Sequence, residues 1–276
     1  MLLLIIPLSG LTATRNCGHG SPAPGLYYCI SGSGGPVVVF ESGMRNSSSY
    51  WTRVANQLAR TTTVVVYDRA GSGRSPVGKL PRSSDTITDE LAALMNSLSP
   101  GSPLVLVGHS IGGWHARVFA NRYPANVAGV VLIDSPHEDF EAERLALLSP
   151  SERAARAASL ERSRAALPQS TQDEYRAHGR SRTLLSNIEV DDDTPYVVIT
   201  SEAHRWGSDA VADELEALWL RQQRALVDSI PNARLIIEQH VGHDIPREAP
   251  ESISAAVEAL LEDLGRGIEE QSAQSR

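Results

Sequence analysis

Val105-Leu106-Val107-Gly108-His109-Ser110-Ile111-Gly112-Gly113 is the stretch on which the fold turns. The apolar run 104–107 reads as a buried strand, and 111–123 carries the apolar spacing of a helix. Only residues 108–110 lie between them, so the chain turns sharply and holds Ser110 in a strained conformation. Glycines at 108 and 112 remove side chains that would strike the neighbouring strand and helix. The hydroxyl then projects beyond the strand's carboxyl end, beside a helix N-terminus. There the macrodipole and free N–H groups favour developing negative charge. Gly-x-Ser-x-Gly has many chance occurrences; its place between a buried strand and a helix gives it weight.

The alternation extends in both directions. Residues 26–31 read as a strand, Gly32-Ser-Gly-Gly-Pro36 as a tight turn, and 37–40 as a second strand. Residues 50–60 put Trp51, Val54 and Leu58 on one helix face. A Thr- and Val-rich strand at 61–67 precedes a helix at 86–98. After the Ser110 turn come strands at 127–133 and 196–200, a helix at 213–229, a last strand at 234–238 and a helix at 252–264. This pattern predicts an α/β fold, with a mainly parallel central sheet flanked by helices. Ligands of such sheets bind beyond the carboxyl ends of the strands. Residues 137–194 break the pattern, being polar and rich in Ala, Arg, Glu and Ser. A structureless segment of that length is unusual in a compact domain, and the composition favours short helices. The expected organisation is a core domain, 1–136 and 195–276, with a helical cap, 137–194, inserted before the penultimate strand. The competing reading of that interval is a disordered linker.

Three turns together resemble one family. Gly108-His-Ser-Ile-Gly112 resembles the nucleophile elbow of the α/β-hydrolases. Tyr67-Asp-Arg-Ala-Gly-Ser-Gly-Arg-Ser75 resembles the Asp-Arg-x-Gly-x-Gly-x-Ser turn that many members carry after the preceding parallel strand. Val241-Gly-His243-Asp resembles their Gly-His turn. The likeness runs from roughly residue 26 to 264 in the family's order. It implies a cofactor-free serine hydrolase, carboxylesterase-like, that takes a small-molecule acyl substrate. A serine at the elbow argues against dehalogenase and epoxide hydrolase activity, which in this family use an Asp there. A serine hydroxyl is a weak nucleophile at neutral pH and needs a base; His243, after the last strand, fills that role.

The third member should be a carboxylate that orients the imidazole. Most relatives place an Asp after the strand corresponding to 196–200, but this chain reads Thr200-Ser-Glu202-Ala-His204, with His204 at the usual offset. Another family arrangement puts the acid one strand earlier, and Asp134 fits it. Asp134 is the favoured acid and Glu202 the alternative. By the same resemblance the oxyanion donors are the backbone N–H groups of Ile111 and Met44, the latter in Glu41-Ser-Gly-Met44 where most relatives carry His-Gly. The Gly71 and Gly73 turn lacks the third glycine and the prompt helix of a dinucleotide site, and reads as structural. His240 and His243 lack a nearby third ligand, so no metal is expected. Leu145, Leu147, Leu148, Leu160 and Leu167 of the cap either line an acyl pocket or anchor its helices. Two other classes stay open: a lyase or carbon–carbon bond hydrolase using the same Ser–His pair, and a non-catalytic small-molecule-binding protein.

The chain has 276 residues, 41% hydrophobic, with a formal net charge of -8. That acidity disfavours nucleic acid as a partner, which needs a basic footprint. The apolar run 1–7 is far too short to span a bilayer, and no other stretch is apolar enough. It also lacks a basic lead-in, so it is a poor secretory signal. Cys17 and Cys29 either pair in an oxidising compartment or pack as unpaired thiols; unpaired thiols and a cytoplasmic location are the favoured reading. The polar segment 268–276 is expected to fray.

Overall fold

A computed structural model describes residues 15–20, 25–204, 206 and 211–274; the run 1–7 lies outside them. Among the described residues eight strands form one sheet: β1 (Asn16–Gly20), β2 (Leu26–Ser31), β3 (Val37–Glu41), β4 (Val64–Tyr67), β5 (Leu104–His109), β6 (Val127–Ile133), β7 (Tyr196–Ser201) and β8 (Ala233–Glu238). Their order is β1-β2-β4-β3-β5-β6-β7-β8. The β1–β2 and β2–β4 pairs are antiparallel, and every pair from β4–β3 onward is parallel.

The parallel strands are β-branched runs because both of their faces are covered. Val38, Phe40, Val105, Val107, Val131, Ile133, Val197 and Ile199 form one buried cluster with residues of α1 (Thr52–Leu58) and α9 (Pro250–Gln274). The alternate residues Val37, Val39, Leu104, Leu106, Val130, Leu132 and Val198 pack the opposite face. There they meet residues of α2 (Ser84–Leu98), α3 (Ile111–Arg122) and α7 (Ala212–Asp228). The two-residue side-chain period of a strand thus divides one sequence run between two cores.

Three helices stand between β6 and β7: α4 (Phe140–Leu147), α5 (Pro150–Ala165) and α6 (Gln169–Leu185). A capping box, with Ser149 and Glu152 bonding each other's backbone N–H, starts α5 and satisfies donors the helix leaves free. No residue of α5 is buried. By contrast, α6 is tied to the core by polar contacts. Ser170 Oγ donates to Gly71 O at 2.5 Å, and Ser84 N donates to Ser181 Oγ at 3.0 Å. The short α8 (Ile245–Glu248) follows β8.

Three expectations need correction. Cys17 and Cys29 are directly opposed on β1 and β2 and form a disulfide, not unpaired thiols; the sequence offered no strand at 16–20 on which to see the opposition. The strand expected at 61–67 begins only at Val64, because Thr61 and Thr62 still donate to Leu58 O as the chain leaves α1. And α9 runs on to Gln274 instead of fraying at 268, in keeping with the helix-favouring Glu, Gln and Ala of that tail.

Candidate active site

Ser110 sits between β5 and α3 with φ 55° and ψ -127°, outside the regions an L-residue ordinarily adopts. Its N–H donates to Ile133 O at 2.9 Å and its carbonyl accepts from Gly113 N at 2.9 Å, which holds the turn. Gly112 is required there: a Cβ on it would lie 2.2 Å from Glu41 O. Ser110, Asp134, Arg45 and His240 are the non-glycine residues with positive φ among those described. All four lie in loops that follow β3, β5, β6 and β8, so backbone strain gathers at the sheet's carboxyl edge.

The loops bring Ser110, His243 and Asp134 together from three strand ends. His243 Nε2 lies 3.1 Å from Ser110 Oγ, and His243 Nδ1 lies 2.6 Å from Asp134 Oδ2. Asp134 is fully buried, whereas the His243 side chain is 47% exposed. The other Asp134 oxygen accepts from Thr200 Oγ1 at 2.9 Å and Ser201 N at 3.0 Å. Burial alone would raise the Asp134 carboxyl, but the hydrogen bonds and charges of His204 and His243 hold it well below the usual carboxylate range. Glu202, the alternative acid, is exposed and makes no side-chain hydrogen bond among the described residues. Its peptide N–H merely continues toward Glu238 O at 3.2 Å.

The loop after β3 comes up against Ser110. A Cβ on Gly43 would stand 3.3 Å from Ser110 Cβ and 2.9 Å from His109 Nδ1. Arg69 grips this loop from behind, donating to Ser42 O and, at 3.3 Å, to Gly43 O. Because the peptide is planar and trans, the N–H of Met44 points away from the Gly43 carbonyl and hence away from Arg69. Neither the Met44 nor the Ile111 N–H donates a hydrogen bond among the described residues. Met44 packs with Ile111, Trp114 and Leu185. Trp51 Nε1 donates to Ser42 Oγ at 2.9 Å and fixes the loop's other side.

Arg69 reaches further than a merely structural turn suggests. Its buried guanidinium pairs with Glu41 Oε1 at 2.8 Å and with both oxygens of Glu174 on α6 at 3.1 Å. Burial raises the Glu41 carboxyl, and the Arg69 charge only partly offsets it. Tyr67 OH donates to the remaining Glu41 oxygen. The turn after β4, the loop after β3 and the α6 helix therefore share one ionic cluster. Asp68 holds the turn itself, accepting from Ser48 N at 2.6 Å and Arg74 N at 2.8 Å.

His204 is the residue sequence reasoning missed. Its Nε2 lies 2.7 Å from Asp134 Oδ2, the same oxygen that meets His243, and its Nδ1 lies 3.0 Å from Glu216 Oε1. The available signal was a histidine at the offset where an acid was sought. Asp134, His204 and His243 are also the one group among the described residues whose donor atoms lie close enough, within 4.8 Å of one another, to suggest a metal. Both histidine contacts converge on a single oxygen at hydrogen-bond distance. A tetrahedral zinc with ligands at about 2.0–2.1 Å would spread them to roughly 3.4 Å, so this packing is that of a hydrogen-bonded chain. His240 is exposed and takes no part. His109 is buried under the turn with Nε2 2.9 Å from His243 O. Burial pushes its imidazole down to about 4.

The leucines of residues 137–194 divide: Leu185 packs with Ile111 and Trp114 beside Ser110. Leu148 and Leu160 line a cavity of about 340 Å³ between α4 and α5, with Arg144 and Arg156. Leu147 is exposed. The apolar wall beside His243 is instead aromatic: Phe140, Trp206 and Trp219 cluster with Leu215 and Leu218, and the Trp219 ring centroid lies 6.4 Å from that of His243.

The family model of the alpha/beta hydrolase fold matches residues 36–195, more than half of the chain, and the chain belongs to that family. A candidate carbamate hydrolase, RutD, of Pantoea ananatis is 36% identical over 114 residues, covering 40% of this chain and 41% of the relative. The matches to the curated relatives span about two fifths of their length. Among solved structures, an esterase from Thermogutta terrifontis is 23% identical with a TM-score of 0.56, covering 91% of this chain and 99% of its own. An epoxide hydrolase from Vigna radiata is 15% identical with a TM-score of 0.65, covering 92% and 99%. Both structural likenesses are of fold. No helix among the described residues is long and apolar enough to cross a membrane.

Proposed function

We propose that this chain is a serine hydrolase that cleaves an ester-type acyl bond, in a carboxylic ester, thioester or lactone, through Ser110, His243 and Asp134. The observation that carries the reading is the continuous contact Ser110 Oγ–His243 Nε2–His243 Nδ1–Asp134 Oδ2, at 3.1 and 2.6 Å, across three strand ends. Ser110 Oγ attacks the acyl carbonyl while His243 Nε2 takes its proton. The tetrahedral oxyanion is received by the N–H groups of Ile111 and Met44. His243 then protonates the leaving group, and water, deprotonated by the same nitrogen, releases the acid from the acyl-enzyme. Asp134 holds the proton on Nδ1, which keeps Nε2 a lone-pair acceptor. No step calls for a metal or organic cofactor.

The α4–α6 segment acts in this reading as a cap, coupled to the oxyanion loop through Glu174, Arg69 and Glu41. The partial likeness to a candidate carbamate hydrolase favours a second reading of the substrate, a small amide or carbamate attacked by the same serine. Turnover of short p-nitrophenyl esters beside matched anilides and carbamates separates the two. Activity on any of them should vanish in Ser110→Ala and His243→Ala, and its survival in Ser110→Ala would defeat the proposal. The Cys17–Cys29 disulfide supports work in an oxidising compartment, which alkylation with and without reductant, read by mass, checks on protein isolated from its source.

A further inference from the structure

We propose that His204 is a positioning residue for the Ser110–His243 pair: an imidazolium clamped between Glu216 and Asp134, sharing the Asp134 oxygen that orients His243 and setting the charge against which that histidine works. The inference rests on the serine hydrolase reading above.

The argument is one of donors and acceptors. A neutral imidazole has one N–H and one lone pair, whereas both ring nitrogens of His204 face carboxylate oxygens, at 2.7 and 3.0 Å. An ionised carboxylate only accepts. One of the three groups must therefore carry an extra proton. Asp134 is a poor home for it, because donors already meet both oxygens: Thr200 Oγ1 and Ser201 N on one, His204 and His243 on the other. Glu216 is similarly occupied, its Oε2 accepting from His204 N at 3.1 Å and Trp206 Nε1 at 2.8 Å. The proton belongs on His204. Aromatic faces favour it there: the ring stacks on Trp206 at 4.9 Å and lies 4.7 Å from the Trp219 ring, where a cation gains from the π-electrons. Burial alone would push this imidazole down, but the hydrogen bonds and charges of Asp134 and Glu216 outweigh it and raise it above its ordinary value.

The consequence falls on His243, whose ring centroid is 6.3 Å from that of His204. Two carboxylates and one imidazolium present it with a net charge of -1, from -1 + 1 - 1. Replacing His204 by a neutral residue makes that -2. Among the described residues, the other charged or titratable groups facing the cluster are Asp244 and Tyr50, bonded to each other beside His243, Arg247, which pairs with Asp244 at 3.4 Å over the Tyr50 ring, the neutral His109 beneath His243, and Arg144, 5.5 Å over the Trp206 ring. None of them contacts a His204 ring nitrogen. A unit charge lost at about 6 Å, screened as at a protein surface, moves a proton equilibrium by about two pH units.

The test joins ring-carbon-labelled histidine NMR to pH–rate profiles on a p-nitrophenyl ester, for wild type, His204→Gln and Glu216→Gln, with circular dichroism as the check of folding. In wild type, one histidine signal, absent from His204→Gln, should report a doubly protonated ring at pH 7.5, and its midpoint should fall in Glu216→Gln. The acid limb of kcat/KM should move up by about two units in His204→Gln with KM near wild type. A singly protonated His204 at pH 7.5 overturns the proposal. So does a folded His204→Gln whose acid limb stays in place, which is what a merely structural role would give. Should His204→Gln not fold, an unchanged midpoint in Glu216→Gln overturns it. A doubly protonated His204 in a protein that turns over no substrate defeats the hydrolase reading and leaves the clamp standing.

Discussion

Asp134→Asn exchanges one oxygen for an amide of the same size, at a position with two histidines on one side and two fixed donors on the other. With the amide nitrogen in the Oδ2 place, a donor faces His243 Nδ1 at 2.6 Å and His204 Nε2 at 2.7 Å. His243 can then meet it only with a lone pair on Nδ1, so its proton moves to Nε2, toward Ser110 Oγ. A ring protonated there cannot accept the serine's proton. The opposite flip turns the amide nitrogen on Ser201 N–H, leaving a buried donor unsatisfied at roughly 1–3 kcal/mol, and still deprives the developing imidazolium of its counter-charge. The expected loss in kcat is about 10⁴-fold, the effect of the same exchange in a serine protease triad, or roughly 5 kcal/mol of transition-state stabilisation. Steady-state kinetics on a short p-nitrophenyl ester, with melting curves to confirm folding, measure it. Glu202→Gln, on an exposed side chain, should leave kcat within about twofold of wild type, as surface changes usually do. An Asp134→Asn enzyme within about tenfold of wild type, or a Glu202→Gln enzyme as damaged as it, would refute the reasoning.

Arg69→Gln leaves Glu41 and Glu174 facing each other without a cation, and should cost roughly 3–5 kcal/mol of stability, read as a lowered urea midpoint, with kcat falling because Ser42 and Gly43 lose their anchor. Gly43→Ala introduces a methyl 2.9 Å from His109 Nδ1 and 3.3 Å from Ser110 Cβ; displacing one oxyanion donor should cut kcat by roughly 10²-fold with little change in melting temperature. The raised His204 imidazole contributes stability that is fully present below its unfolded value of about 6.5 and is lost as pH rises through the higher folded value. Urea melts should therefore show His204→Gln more destabilising at pH 6 than at pH 9, and the reverse order would contradict the imidazolium.

The sheet was legible because its strands carry their burial in composition: 26–31 and 127–133 read as strands at the observed bounds. Asn16–Gly20 was not legible. It has no β-branched residue and two glycines, and its side chains are partly or wholly exposed; Tyr28 and Leu94 lie over Gly20 instead. Ser110, His243 and Asp134 could be named because each closely follows a strand, where topology alone fixes a place on the carboxyl edge. The reach of Arg69 to Glu174 and of Glu216 to His204 could not, since side chains on inserted or distant helices meet the site only through packing. The helical character of 137–194 was readable from composition, but which of its leucines would pack beside Ile111, as Leu185 does, was not.

The most direct measurement is intact-protein mass after treatment with a fluorophosphonate, beside Ser110→Ala and His243→Ala. An activated Ser110 gives one adduct on wild type, none on Ser110→Ala and strongly slowed labelling on His243→Ala. Equal labelling of all three proteins, or none of wild type under conditions where its fold is intact, would contradict the central claim that the geometry around Ser110 makes it a nucleophile.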